Sequence, residues 1–304
     1  MSTNLRHAGF KAMGTYCEIQ LYEASRIGAR RMVRQLIDEV NRLESKYTRD
    51  REDSFLSKIN RSAGDQTGIK IDVETLKLFE HAQTCYEQSD GLFDITAGVL
   101  RRVWDFSRKR IPDESELQEL LPLIGYERLN WHDDMLFLPE NMEIDFGGIV
   151  KEYAADSLAN LARELGVKRG LINLGGDFAA IGTQPENRPW PIGITHPEDS
   201  TKIMSHFHLF EGGLASSGDY ERSFILDGKR YSHLLNPRTG WPCAGLRAVR
   251  VSANLCTVAG SFATIAMLKQ EKDALNWLTE SGLPFVFMDG AGQIGGAGLA
   301  DCSY

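Results

Sequence analysis

Between Arg169 and Ile181 the sequence RGLINLGGDFAAI sets two apolar runs on either side of a Gly-Gly pair. Paired glycines accept the positive backbone angles of a tight turn, so the stretch reads as strand, turn, strand. It commits the middle of the chain to a hairpin. Further strands are predicted at 191–195, 203–209, 223–226, 230–235 and 248–252, with antiparallel connections, and a last one at 285–288. Upstream, residues 15–22 alternate, with Cys17, Ile19 and Leu21 on one face. Helical spacing of apolar residues predicts helices at 25–47, 73–89 (stopped by Asp90-Gly91), 149–165 (stopped by Gly166), 257–268 and 272–281. Helices and strands are mixed without strict alternation. That pattern excludes a doubly wound sheet and predicts an α+β fold of mixed or antiparallel sheets flanked by helices.

The chain has 304 residues, which at about 150 per domain admits one large domain or two intimate ones. No repeat or linker divides it, so a single domain over 1–304 is expected, with the glycine-rich residues 290–304 as a flexible tail. Lys and Arg number 34 against 42 Asp and Glu, a net charge of −8. This argues against a nucleic-acid partner, which rewards a basic face. Cys17, Cys85, Cys243, Cys256 and Cys302 show no CxxC pair, so neither a zinc cage nor a disulfide framework is indicated. No window approaches eighteen consecutive apolar residues, and no apolar signal region precedes the first strand. The expectation is a cytoplasmic protein without a membrane segment. A periplasmic chain whose export signal had been removed would read the same way.

Chemistry concentrates in three stretches. In Asp145-Phe-Gly-Gly-Ile-Val-Lys151 two glycines stand between an acid and a helix start, leaving free N–H groups for a ligand, with Lys151 one turn in to meet an anion. A plain strand-to-helix turn with a solvated lysine fits the same residues. Asn173-Leu-Gly-Gly-Asp177 reads, taken alone, as the hairpin turn. The third, Ser216 to Arg222 followed by Arg230 to Gly240, gathers Asp219, His233, Asn236 and Arg238 around a predicted hairpin. His233 alone reads as a hydrogen-bonded core histidine, and Ser217 lacks the GxSxG elbow of a hydrolase nucleophile.

Taken in order, these stretches resemble the ApbE family of flavin transferases. The resemblance also takes in Met13-Gly-Thr15, Leu43-Glu-Ser-Lys-Tyr47, Ser89 to Thr96, Tyr231 to Pro242 and Thr264. It implies a single α+β domain that takes FAD as substrate and, with Mg²⁺, transfers FMN to a Thr or Ser hydroxyl of an acceptor flavoprotein, releasing AMP. Met13, Tyr47, Leu92, Phe93, Asp94, Asp145, Lys151 and Leu234 fall where the family contacts FAD. The Gly148 carbonyl and the Thr264 hydroxyl fall where it holds the metal, and His233 where a base would deprotonate the acceptor. Two other readings remain: an FAD pyrophosphatase giving FMN and AMP, and a non-catalytic FAD-binding protein.

The chain departs from the family pattern at several positions. Gly260 replaces the usual Asp four residues before Thr264, removing a metal ligand that Ser261, Asp177, Asp219 or the FAD phosphates would have to replace. Gly260→Asp is then expected to restore it. Glu152 replaces a common Gly, and Phe55 stands where an acid is frequent; both are expected to reshape the adenine side of the pocket. The lipoprotein signal of exported members is absent from this sequence.

Overall fold

The computed structural model describes residues 4–23, 25–196 and 199–298. Its centre is an eight-stranded sheet: β1 (Asn4–Ala12), β2 (Thr15–Glu23), β3 (Gly170–Leu174), β4 (Asp177–Ile181), β5 (Gly212–Gly218), β6 (Ala248–Ala253), β7 (Phe285–Met288) and β8 (Ile294–Ala297). The strands lie side by side in chain order and every neighbouring pair is antiparallel. The helices are α1 (Arg26–Tyr47), α2 (Phe55–Arg61), α3 (Val73–Gln88), α4 (Glu114–Leu120), α5 (Val150–Glu164), α6 (Cys256–Leu268) and α7 (Glu271–Glu280).

One large core joins the helices to one face of the sheet. Cys17, Ile19 and Leu21 of β2 and Ile172 and Leu174 of β3 meet Leu36, Val40 and Leu43 of α1 and the alanine-rich face of α5. The opposite face, carrying Leu171, Ala180, Leu214 and Val286, is covered by a separate hairpin, Trp190–His196 with Asp199–Leu209, through Trp190, Ile192, Ile194, Phe207 and Leu209. The central strands are therefore buried on both faces, which is why β3 reads as a continuous apolar run. A third cluster, around Leu100, Trp104, Leu117 and Phe224, seats the small hairpin Ser223–Leu226 with Lys229–Ser232.

Local chemistry sets the element ends. Ser25 caps α1 by accepting the Gly28 N–H at 3.0 Å, and Asp72 caps α3 by accepting that of Thr75 at 2.9 Å. Helix α6 is capped from outside, since the carboxylate of Asp156 on α5 accepts the N–H groups of Cys256 and Thr257 at 2.9 and 2.8 Å. Helix α5 has no side-chain cap. Its first N–H, that of Val150, donates to the Phe146 carbonyl at 3.0 Å, and the helix starts at the end of the sheet where β3 turns into β4.

One expectation needs correction. Within the segment expected as a tail, residues 294–297 form β8, paired with β7, because the exposed edge of β7 offers unpaired backbone groups. Residues 299–304 lie outside the described residues. Ser216 and Ser217 lie at the end of central strand β5, and the hairpin expected from the strands at 223–226 and 230–235 is found at Ser223–Leu226 with Lys229–Ser232.

Candidate active site

Four pieces of backbone meet at one end of the main sheet: the β1–β2 turn at Met13 and Gly14, the β3–β4 turn at Gly175 and Gly176, the end of β5, and the start of α5. Gly175 lies so close to Thr15 that a Cβ there would sit 2.5 Å from the Thr15 methyl, and its φ is +65°. Only glycine lets the two turns touch. Asn173 Oδ1 accepts the Gly176 N–H at 2.8 Å and fixes the second turn. Met13 itself sits at φ +50°, and the Arg222 guanidinium lies 3.6 Å from where a Cβ on Gly14 would stand.

Lys151, the second residue of α5, places Nζ 2.7 Å from Oδ2 of Asp177, whose side chain is 0% exposed. The other Asp177 oxygen accepts the Ser216 N–H at 3.0 Å. Burial opposes the Lys151 charge, but Asp177 first, then Glu152 and Glu221, outweigh it and hold the ammonium above its ordinary pKa. The sequence names Asp177 only as a stand-in metal ligand: its glycine-acid turn is visible there, its pairing with Lys151 is not.

His233 follows the small hairpin, its N–H donating to the Arg222 carbonyl at 3.0 Å. Its Nδ1 is buried and has no hydrogen-bond partner. Burial, then the charges of Arg222, Arg101 and Lys151, push its pKa down to about 4, so the ring is neutral at pH 7. The cations acting on His233 thus include the lysine of α5 and Arg101, which bonds Asp145.

Asp145 is engaged on both oxygens. Oδ2 pairs with Arg49 and Arg101, each at 3.2 Å, and Oδ1 accepts the Gly147 N–H at 2.8 Å. Against its burial, the charges of Arg101 and Arg49 hold its carboxyl below the usual range. Phe93 packs its ring against Gly148, 3.3 Å from where a Cβ would stand. Asp145, Gly148, Phe93, Lys151 and His233 therefore cluster around the start of α5. Three other expected FAD contacts are bound into the protein. Asp94 accepts from Thr96 and from the Tyr126 N–H, and burial raises its pKa. Tyr47 is 5% exposed, edge-on to Phe146, with its hydroxyl 3.0 Å from Thr75 Oγ1. Leu234 packs against the main core. Leu92 opens instead on a cleft of about 580 Å³ that includes Asn236, Arg238 and Trp277. Arg238 there bonds the Asp90 carbonyl at the end of α3, so Asn236 and Arg238 serve this cleft.

Glu152 is 5% exposed, and its Oε2 has no hydrogen-bond partner. Burial, then Asp177, raise its carboxyl pKa well above the usual range. It lies against Gly260 of α6: a Cβ on Gly260 would stand 2.5 Å from Glu152 Cγ. The expectation that Gly260→Asp simply restores a ligand is corrected by the same contact, because Glu152 fills that space. Among the described residues no group of three or more His, Cys, Asp or Glu side chains is placed to hold a metal ion.

The profile of the ApbE family matches residues 13–287. The chain belongs to the ApbE family. That span contains every site residue described above. The ApbE protein of Thermotoga maritima superposes with a TM-score of 0.88 at 29% identity, over 96% of this chain and 97% of its own. The apo flavinyl transferase ApbE of Pseudomonas stutzeri gives 0.85 at 25% identity, over 97% and 94%. The FAD:protein FMN transferase of Klebsiella pneumoniae is 29% identical over 291 residues, 90% of this chain and 81% of its own length. The α+β fold expected from the sequence is the ApbE fold of these structures.

Proposed function

We propose that the chain is an FAD:protein FMN transferase, moving the FMN half of FAD to a Thr or Ser hydroxyl of an acceptor flavoprotein. The observation that carries this reading is the buried, unpartnered Nδ1 of His233 among Lys151, Arg101 and Arg222. Such a pocket suits a pyrophosphate. Its negative charge answers the cations gathered at the start of α5, a helix with no side-chain cap.

In the reaction the acceptor oxygen bonds to the FMN phosphorus while the bond to the AMP phosphate breaks, and the electron pair leaves with AMP. The hydroxyl proton passes to His233. In the free protein the cations suppress its basicity; a bound pyrophosphate offsets them, so substrate itself restores the base. Asp177 keeps Lys151 charged and aimed. Asp145, by tying Arg49 and Arg101 to the start of α5, holds the positive wall in place.

A hard divalent cation such as Mg²⁺ fits the oxygen donors here, the Gly148 carbonyl, the Thr264 hydroxyl and a buried carboxylate with a free oxygen. When bound it supplies neutralisation of phosphate charge. Incubation with FAD, Mg²⁺ and an acceptor flavoprotein, followed by intact mass, tests the reading. Acceptor gaining FMN with stoichiometric AMP supports it. FMN and AMP with unmodified acceptor would make the chain a pyrophosphatase, and FAD retained without turnover a binding protein.

A further inference from the structure

Helices α5 and α6 run antiparallel, and two levels of their contact can be read along them. Asp156 meets Cys256 and Thr257 at the start of α6. Four residues back on α5 and four on along α6, Glu152 meets Gly260. Continued by one step, the same register would bring Thr264 level with Gly148, two residues before α5. Each step is about 6 Å along the axes. Glu152 therefore stands one helical turn from the two neutral oxygen donors.

Its carboxylate is out of place unless something positive joins it. Glu152 is 5% exposed, Oε2 has no hydrogen-bond partner, and the neighbouring Lys151 has its ammonium on Asp177 at 2.7 Å. An unpaired buried carboxylate is costly enough that a protein protonates it, pairs it or binds a cation with it. Cγ, Cδ and Oε1 of Glu152 lie 2.5, 3.0 and 3.0 Å from where a Cβ on residue 260 would stand. The carboxylate thus occupies the volume of a side chain at 260, reached from the opposite helix. The resemblance expects an acid at 260 and glycine at 152; in this chain the two are exchanged across the helix pair.

We propose that Glu152 is the carboxylate ligand of a divalent cation held between α5 and α6, replacing from α5 the acid that α6 lacks at Gly260. This rests on the transferase reading for its purpose but not for its test. The site takes a hard cation, Mg²⁺ or Mn²⁺, through oxygen donors only.

The experiment is a Mn²⁺ titration of the protein alone, without FAD or acceptor, read by electron paramagnetic resonance. Wild type is expected to bind one Mn²⁺, and Glu152→Gln to weaken binding about tenfold or more. Gly260→Asp alone is expected to lower the melting temperature without tightening Mn²⁺, since its side chain meets Glu152. The exchange Glu152→Gly with Gly260→Asp returns a single carboxylate to the same space and is expected to recover Mn²⁺ binding. Wild-type affinity in folded Glu152→Gln overturns the proposal, as does wild type that binds no Mn²⁺. If Glu152→Gln fails to fold, the exchanged variant decides: folded without Mn²⁺ binding, it overturns the proposal. A protein that binds Mn²⁺ through Glu152 yet transfers no FMN would leave this inference standing and remove the transferase reading.

Discussion

His233 is neutral in the free protein because burial and three cations disfavour its proton. His233→Ala is expected to slow FMN transfer by roughly 10²–10⁴-fold, the usual contribution of a general base, with FAD affinity within a few-fold; kinetics and calorimetry on one preparation check this. The pH effect has a definite sign. The unfolded histidine takes a proton below about pH 6.5, whereas the folded one resists until about 4. The unfolded state therefore binds more protons in that window. Stability present above pH 6.5 is lost as pH falls towards 4 and this group adds no further loss below it. Urea unfolding at pH 7 and pH 5 should show a smaller loss for His233→Ala than for wild type. At Asp177 the argument is about an unbalanced charge. Asp177→Ala leaves the Lys151 ammonium, 24% exposed, without its 2.7 Å partner, and a cost of about 3–5 kcal/mol is expected in urea melts.

Helix α6 gets its start from α5. Asp156 accepts three hydrogen bonds from Cys256 and Thr257, one of them from the Thr257 hydroxyl at 2.7 Å. Asp156→Ala should cost about 0.5–2 kcal/mol, the range for losing a cap, and hydrogen exchange should speed first at the N–H groups of Cys256 and Thr257. The same bonds set the level at which Glu152 faces Gly260, so Mn²⁺ affinity should fall in Asp156→Ala although neither helix loses a proposed ligand. Unchanged exchange at the start of α6 would show that the cap is dispensable.

The main sheet separates two kinds of work. Helices and the active-site turns occupy one face and one end, while the hairpin carrying Trp190 covers the other face. Trp190 is 3% exposed, donates Nε1–H to the Gly182 carbonyl at 2.9 Å and stands against Tyr22. Trp190→Ala is expected to cost about 3–5 kcal/mol, as for a buried aromatic cut to a methyl group. Because the cavity opens on the face away from α5 and α6, the folded variant should keep wild-type Mn²⁺ affinity at 15 °C while its melting point drops, which thermal scans and the same titration check. Loss of both together would mean that the two faces are coupled.

Residue spacing alone determined the helices at 26–47, 73–88 and 150–164, the Gly-Gly hairpin and the ordered motifs that marked the family. These are readable because period and turn chemistry act between residues a few positions apart. The strand β1 was missed, since its mixed charges and small residues give weak alternation, and it is held by its full-length pairing to β2. Strand β8 was missed because only the free edge of β7 makes its glycines a strand. The site divides in the same way. Its glycines and its Lys151, Asp145 and His233 were visible as motifs, but the Lys151–Asp177 pair and the meeting of Glu152 with Gly260 join distant parts of the chain. Which acid faces which cation depends on the register of α5 against α6, set by bonds between residues a hundred positions apart, and local patterning carries no record of a register that exists only once the core has closed.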